Sequence, residues 1–184
     1  MKDNIILIGM PSSGKSTIGV VLAKALGYRF VDSDLVIQER TGLLLSEIID
    51  GQGLDGFNKI ENEVNASMDY HKAVIATGGS VIYGKEAMEH LKSIGTVIYI
   101  ELSYETLCER IGDLTKRGVS IRVGQTFRDL YEERKPLYER YADITIHAEH
   151  LNIRELVHLM KKADWGFDQT RGIHPCGTDI PGFI

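Results

Sequence analysis

Eight residues near the amino terminus constrain this chain more than any others. Gly9-Met10-Pro11-Ser12-Ser13-Gly14-Lys15-Ser16 fits G-x-x-x-x-G-K-[ST] without a gap. The run before it, Asn4-Ile5-Ile6-Leu7-Ile8, reads as a short buried parallel strand. After it, Ile18, Val21, Leu22, Ala25 and Leu26 recur at helical spacing over residues 15–26, and Gly27 is the stop. Strand, small-residue loop and helix start together make an anion site. Backbone N–H groups turned inward cradle phosphate oxygens, and the helix N-terminus adds partial positive charge. Lys15 can bridge the β- and γ-phosphates, and the Ser16 hydroxyl can ligate Mg²⁺. A nucleoside triphosphate is therefore expected on Met10, Pro11, Ser12, Ser13, Gly14, Lys15, Ser16 and Thr17. The loop does not name the acceptor.

The rest of the chain repeats the alternation. Further strands are expected at 28–32, 73–77, 96–100 and 144–146. Helices are expected over 33–50 (interrupted near Thr41-Gly42), 55–69, 84–93, 103–111, 126–140 and 152–163, with a break at Gly51-Gln52-Gly53. Pro136 should bend or restart its helix. This pattern predicts an α/β fold of three layers, a five-stranded parallel sheet with helices on both faces. The 184 residues suffice for one domain, expected over 1–165. A mobile lid is expected at about 112–125 and an irregular tail over 166–184. The net charge of −5 argues against general binding to nucleic acid or anionic membrane. No apolar run approaches the ~18 residues of a spanning helix, and no signal peptide is evident. Two cysteines, Cys108 and Cys176, form no disulfide framework, which fits a reduced cytoplasmic setting, and the expected protein is a monomer. Cys108 reads as a small core residue. His147 and His150 lack companions that would complete a zinc geometry, and Arg122 and Arg128 read as solvated surface charges.

The acceptor side is written at two other strand ends. Open parallel sheets bind ligands beyond the carboxyl ends of their strands. Asp32-Ser33-Asp34 ends the second strand, so Asp32 can hold a Mg²⁺ water and Asp34 can orient or deprotonate an acceptor hydroxyl. The competing role for Asp34 is a helix N-cap. Thr77-Gly78-Gly79-Ser80 ends the third strand, where paired glycines admit a substrate close to the backbone or simply make a tight turn.

Taken in order, Gly9–Thr17, Asp32-Ser33-Asp34, Gly42, Phe57 with Glu61, Ala76-Thr77-Gly78-Gly79, Arg134-Lys135-Pro136-Leu137-Tyr138 and Ala142-Asp143 resemble the shikimate kinase family of small P-loop kinases. The resemblance runs from about residue 4 to about residue 160. It implies ATP-dependent phosphorylation of a shikimate hydroxyl, giving shikimate 3-phosphate and ADP, with Mg²⁺ and a lid closing over ATP. It places Asp34 on the acceptor hydroxyls, Arg134 on the shikimate carboxylate, and Gly78 and Gly79 in the same pocket. It puts Arg117 on the transferring phosphate and Arg110 near the adenine. Lys15, Asp34 and Arg117 are then the expected catalytic set.

The departures fall mainly on the acceptor wall. The family usually shows Gly-Glu-x-x-Phe-Arg where this chain has Gly53-Leu54-Asp55-Gly56-Phe57-Asn58, so Asn58 stands for a second carboxylate-binding arginine. Ser80 replaces a third glycine, and Leu114–Val119 lacks the usual Arg-Pro-Leu of the lid. A neutral amide for a charged fork costs about 1.5–3 kcal/mol of binding. The changes leave open an acceptor other than shikimate, a polyol or a differently clamped hydroxy acid. A nucleotide-binding module without phosphotransfer is the alternative of another class.

Overall fold

The apolar runs become five strands: β1 (Asn4–Ile8), β2 (Arg29–Asp32), β3 (Ala73–Ala76), β4 (Gly95–Glu101) and β5 (Ile144–His147). They hydrogen-bond in the order β2-β3-β1-β4-β5, and every pair is parallel. β1 and β3 are buried along their whole length, which is why their sequences are continuously apolar rather than alternating. This is a computed structural model, and it describes residues 2–111, 122 and 124–162. The expected lid, except Arg122, Gly124 and Gln125, and the expected tail lie outside the described residues.

The helices are α1 (Lys15–Leu26), α2 (Ser33–Thr41), α3 (Leu45–Ala66), α4 (Lys85–Ile94), α5 (Tyr104–Ile111), α6 (Phe127–Tyr141) and α7 (Ile153–Lys162). The strand order decides where they lie. The β1-to-β2 connection runs one way across the sheet, and the later crossovers run the other way. Right-handed crossovers of opposite direction cover opposite faces. Accordingly α1 packs with α7, whereas α3 packs with α2 and α4. The expected three layers and five parallel strands are present.

The expected break at 51–53 is present: Gly53, with φ 70° and ψ 178°, interrupts the helical backbone at a kink between two helical segments of α3, a conformation that suits glycine. Val81–Tyr83 forms a short 3₁₀ turn that apolar periodicity does not reveal, because three residues carry no period. Cys108 is exposed on α5 rather than in the core: Leu107 and Ile111 take the buried stripe, and Cys108 points away from it. Pro136 sits inside α6 without ending it.

Candidate active site

The phosphate loop, Asp34, Gly78-Gly79 and Arg134 come together beyond the carboxyl ends of the strands. The order reverses at β1, so the loops after β1, β2 and β3 open into a common crevice. A cleft of about 300 Å³ lies there, lined by Lys15, Ser16, Asp34, Gly78, Gly79 and Arg134 among others. It joins the phosphate loop to the acceptor residues.

The loop is built from strained turns. Gly14 has φ 92° and precedes the first residue of α1, and Ser12 has φ 65°. Only glycine takes the first without cost. Lys15 is 8% exposed, and its Nζ donates to the Gly9 and Met10 carbonyls, each at 2.8 Å. Burial lowers its pKa to about 8, opposed by the charge of Asp34. Ser16 Oγ donates to Asp32 Oδ2 at 2.8 Å. The other Asp32 oxygen accepts from the Asp34 backbone N–H at 3.0 Å, so Asp32 is the N-cap of α2. The capping role weighed for Asp34 therefore belongs to Asp32, and the Asp34 side chain lines the cleft.

The acceptor wall is held from behind. The Ser33 hydroxyl accepts from Gly78 N–H at 3.0 Å, and Tyr138 OH donates to the Gly79 carbonyl at 2.5 Å. A side chain at Gly78 would overlap a Glu61 carboxylate oxygen and come within 2.9 Å of Asp34 Oδ1, so the backbone must be bare there. Arg134 lies on the inward stripe of α6 with Phe127, Leu130, Tyr131 and Tyr138, and is 1% exposed. An arginine at a core position of a helix is costly unless it has an anionic partner.

Two carboxylates are packed against this wall. Burial raises Glu61 to about 7; Ser80's hydrogen bond opposes the shift and Asp34's charge adds to it. Burial also raises Asp34 to about 6, with Asp32 pushing the same way and Lys15 opposing. Glu61 Oε1 and Asp34 Oδ1 are both buried without a hydrogen-bond partner. The folded protein thus holds protons that the unfolded chain releases at lower pH. Stability of the ligand-free protein should be highest near pH 4–5 and fall as pH rises through about 7. Glu61→Gln removes that penalty. At pH 8 it should raise the melting temperature by at least about 4 °C, since the shift corresponds to on the order of 3 kcal/mol. Thermal unfolding from pH 5 to 8 checks this; parallel curves for the two proteins would contradict it.

Of the other expected residues, Ser12, Gly14, Thr17 and Ser80 line the same cleft, while Pro11 packs over Gly79. An adjoining cleft of about 640 Å³ takes Ser13, Gly14 and Thr17 on one side and Arg110 on the other. Met10 contributes its carbonyl to Lys15 and is itself buried. Asn58 is not brought in. It is absent from the cleft lining, and its Oδ1 is buried without a partner beside Phe57, which does line the cleft. Arg117 lies outside the described residues. Arg128 pairs with Glu105 at 3.5 Å and stacks over Tyr104, as a surface charge. His147 pairs with Glu101, and among the described residues no cluster of His, Cys, Asp and Glu could hold a metal. Sequence reasoning missed Arg154, which lines the second cleft with Leu151 and Asn152 from the turn before α7. It also missed Tyr83, whose OH accepts from Arg134 Nε.

A phosphate loop opening α1, a carboxylate at the end of β2 and a buried arginine facing both define a P-loop phosphotransferase of the small-molecule kinase type. The family model for shikimate kinase matches residues 11–163, and the chain belongs to that family. A shikimate kinase of Haemophilus influenzae is 40% identical over 160 residues, covering 85% of this chain and 89% of its own. One from Pasteurella multocida is 42% identical over 149 residues, covering 79% and 85%. Among solved structures, Acinetobacter baumannii shikimate kinase in complex with shikimate superposes with a TM-score of 0.74 at 30% identity, covering 88% of this chain and 92% of that one. The Aquifex aeolicus shikimate kinase gives 0.73 at 34% identity, covering 86% and 94%.

Proposed function

We propose that this protein transfers the γ-phosphoryl group of ATP to a hydroxyl of shikimate. The observation that carries the reading is one continuous cleft with Lys15 and the phosphate loop at one end and Asp34 and Arg134 at the other. Family membership and the shikimate-bound relative support the acceptor.

Each residue has a distinct task. Backbone N–H groups of the loop and the start of α1 hold the β- and γ-phosphates. Lys15 offsets charge on the transferring group. Arg117 is the further cation that the resemblance assigns to that phosphate. Arg134 holds the acceptor carboxylate through a charged fork. Asp34 accepts the hydroxyl proton as the oxygen–phosphorus bond forms and the bond to the β-phosphate oxygen breaks. Ser16 and Asp32 are a hard-oxygen pair 2.8 Å apart, a donor set that suits Mg²⁺ carried in with phosphates and water. They would hold that ion, which supplies charge neutralisation between the phosphates. The adenine is assigned to the second cleft, between Thr17 and the Arg110 and Arg154 side. The protein is taken to act as a monomer, and the cytoplasm, with its ATP, is the setting that fits. Among the described residues no helix is long and apolar enough to cross a membrane.

Among the described residues, Arg134 is the only arginine lining the acceptor cleft, and Ser80 adds a hydroxyl to its wall. Shikimate is still expected to work. Its carboxylate needs one fork, and its hydroxyls find Asp34. ADP release with Mg-ATP should rise with millimolar shikimate. No stimulation in a protein that binds ATP would overturn the assignment of the acceptor and direct the search to other hydroxy acids and polyols.

A further inference from the structure

Arg134 is the residue on which acceptor binding depends, and the edge of its guanidinium that faces the cleft decides how it grips a carboxylate. The structure assigns the setting of that edge to Tyr83, a positioning residue on the 3₁₀ turn Val81–Tyr83. This inference rests on the functional reading above and adds a residue outside the cleft lining.

The geometry is specific. Arg134 Nε donates to Tyr83 OH at 3.2 Å. The same hydroxyl donates to Glu133 Oε1 at 2.7 Å. The other Glu133 oxygen accepts from Gln125 Nε2 at 2.7 Å. A phenol has one proton to give and lone pairs to receive. With its proton committed to Glu133, Tyr83 must present a lone pair, and a guanidinium N–H fits it. Gln125 in turn holds the Glu133 carboxylate in place. The chain of bonds crosses from the segment preceding α6, through α6, to the turn after β3.

This arrangement fixes the guanidinium. A guanidinium can grip a carboxylate through its Nε side or through its two terminal nitrogens. Tyr83 takes Nε and so closes that side to the acceptor. Tyr138 also hydrogen-bonds Arg134, and Nη1 lies against the wall at Gly79, where an added Cβ would come within 3.0 Å of it. Of these contacts, the one at Nε is the one Tyr83 supplies, and its loss frees the group to turn. Tyr83 also lies under the guanidinium, with Arg134 Cζ 5.3 Å from its ring centroid. A phenylalanine keeps that ring contact and loses only the hydroxyl.

The acceptor carboxylate is remote from the reacting hydroxyl. Loss of its alignment weakens ground state and transition state alike, so KM should rise with kcat little changed. Steady-state kinetics on the full chain test this. Tyr83→Phe should raise the KM for shikimate about tenfold, the size expected for a misaligned charged hydrogen bond. The KM for ATP should stay within twofold and the melting temperature within about 2 °C. Glu133→Ala should reproduce part of the rise, and Glu133→Gln, which keeps an accepting oxygen for the phenol, should restore it close to the unaltered value. A shikimate KM within twofold of the unaltered chain in Tyr83→Phe overturns the positioning role. So does a parallel rise in both KM values, which a merely structural role would give. Absence of shikimate-dependent turnover in the unaltered chain overturns the functional reading, and the role of Tyr83 toward that carboxylate falls with it.

Discussion

Replacing Asp34 by Asn should lower kcat about 10²- to 10⁴-fold while leaving the KM for ATP nearly unchanged. Asp34 lines the cleft with Arg134, and its Oδ1 is buried without a partner. A buried carboxylate oxygen with no donor is held ready for a donor that arrives with substrate, and the acceptor hydroxyl is that donor. Asparagine keeps the size and the backbone bond to Asp32, so the fold is retained. It cannot take a proton. It also removes a buried charge, and the melting temperature should rise as kcat falls. Burial holds Asp34 near 6, so it is ionised in the free protein above that pH and able to accept. The acid limb of the pH profile should weaken in Asp34→Asn and persist in Glu61→Gln. Kinetics and thermal unfolding on the same preparations check both halves. A variant that keeps more than a tenth of kcat would remove Asp34 from the proton path.

The fold was legible because its signals are periodic and redundant. β1, β3 and β4 are buried along almost their whole length, and each reads as an apolar run closed by glycine or a polar turn. α1 starts and stops at glycines, as its sequence indicates. What periodicity could not show is set by tertiary packing. Cys108 has apolar neighbours in sequence, but its direction on α5 turns it to solvent.

The site was legible to the extent that its residues come in contiguous motifs. The loop, Asp32 with Asp34, Gly78-Gly79 and Arg134 all meet at one crevice. Asn58 shows the limit of position-by-position reading. The motif register puts it on the acceptor wall, and Phe57 and Glu61 of the same helix line the cleft, but Asn58 is not among its lining residues. Positions i and i+4 share a helix face, whereas i+1 lies about 100° away. Tyr83, Glu133 and Gln125 were illegible for a different reason. Their partnership joins distant stretches of sequence, and only the fold brings them together. The one signal that existed was a tyrosine soon after the Gly-Gly-Ser turn, too little without the position of α6.

Removing the amine of Lys15 should have the largest effect of any single change. Lys15→Ala should cut kcat by at least about 10³, since preorganised charge on the transferring group is a dominant contribution in such sites. Weaker ATP binding should accompany it. In the ligand-free protein the amine is turned onto the Gly9 and Met10 carbonyls, which are the loop's own acceptors. Arrival of phosphate exchanges these neutral partners for anionic ones. Burial has lowered the amine to about 8, so above that pH the empty site is increasingly uncharged, and ATP must draw a proton in as it binds. The unaltered protein should lose ATP affinity from pH 8 to 9, by up to about tenfold per unit, with net proton uptake detectable calorimetrically in buffers of different ionisation enthalpy. Lys15→Ala should show a flat affinity profile and no such uptake. The fold should survive, because relief of a buried charge offsets the hydrogen bonds that the amine gives to the two carbonyls. If Lys15→Ala retains ATP-dependent turnover above a hundredth of the original, or its affinity keeps the same dependence on pH, the amine neither neutralises the phosphate nor carries the proton.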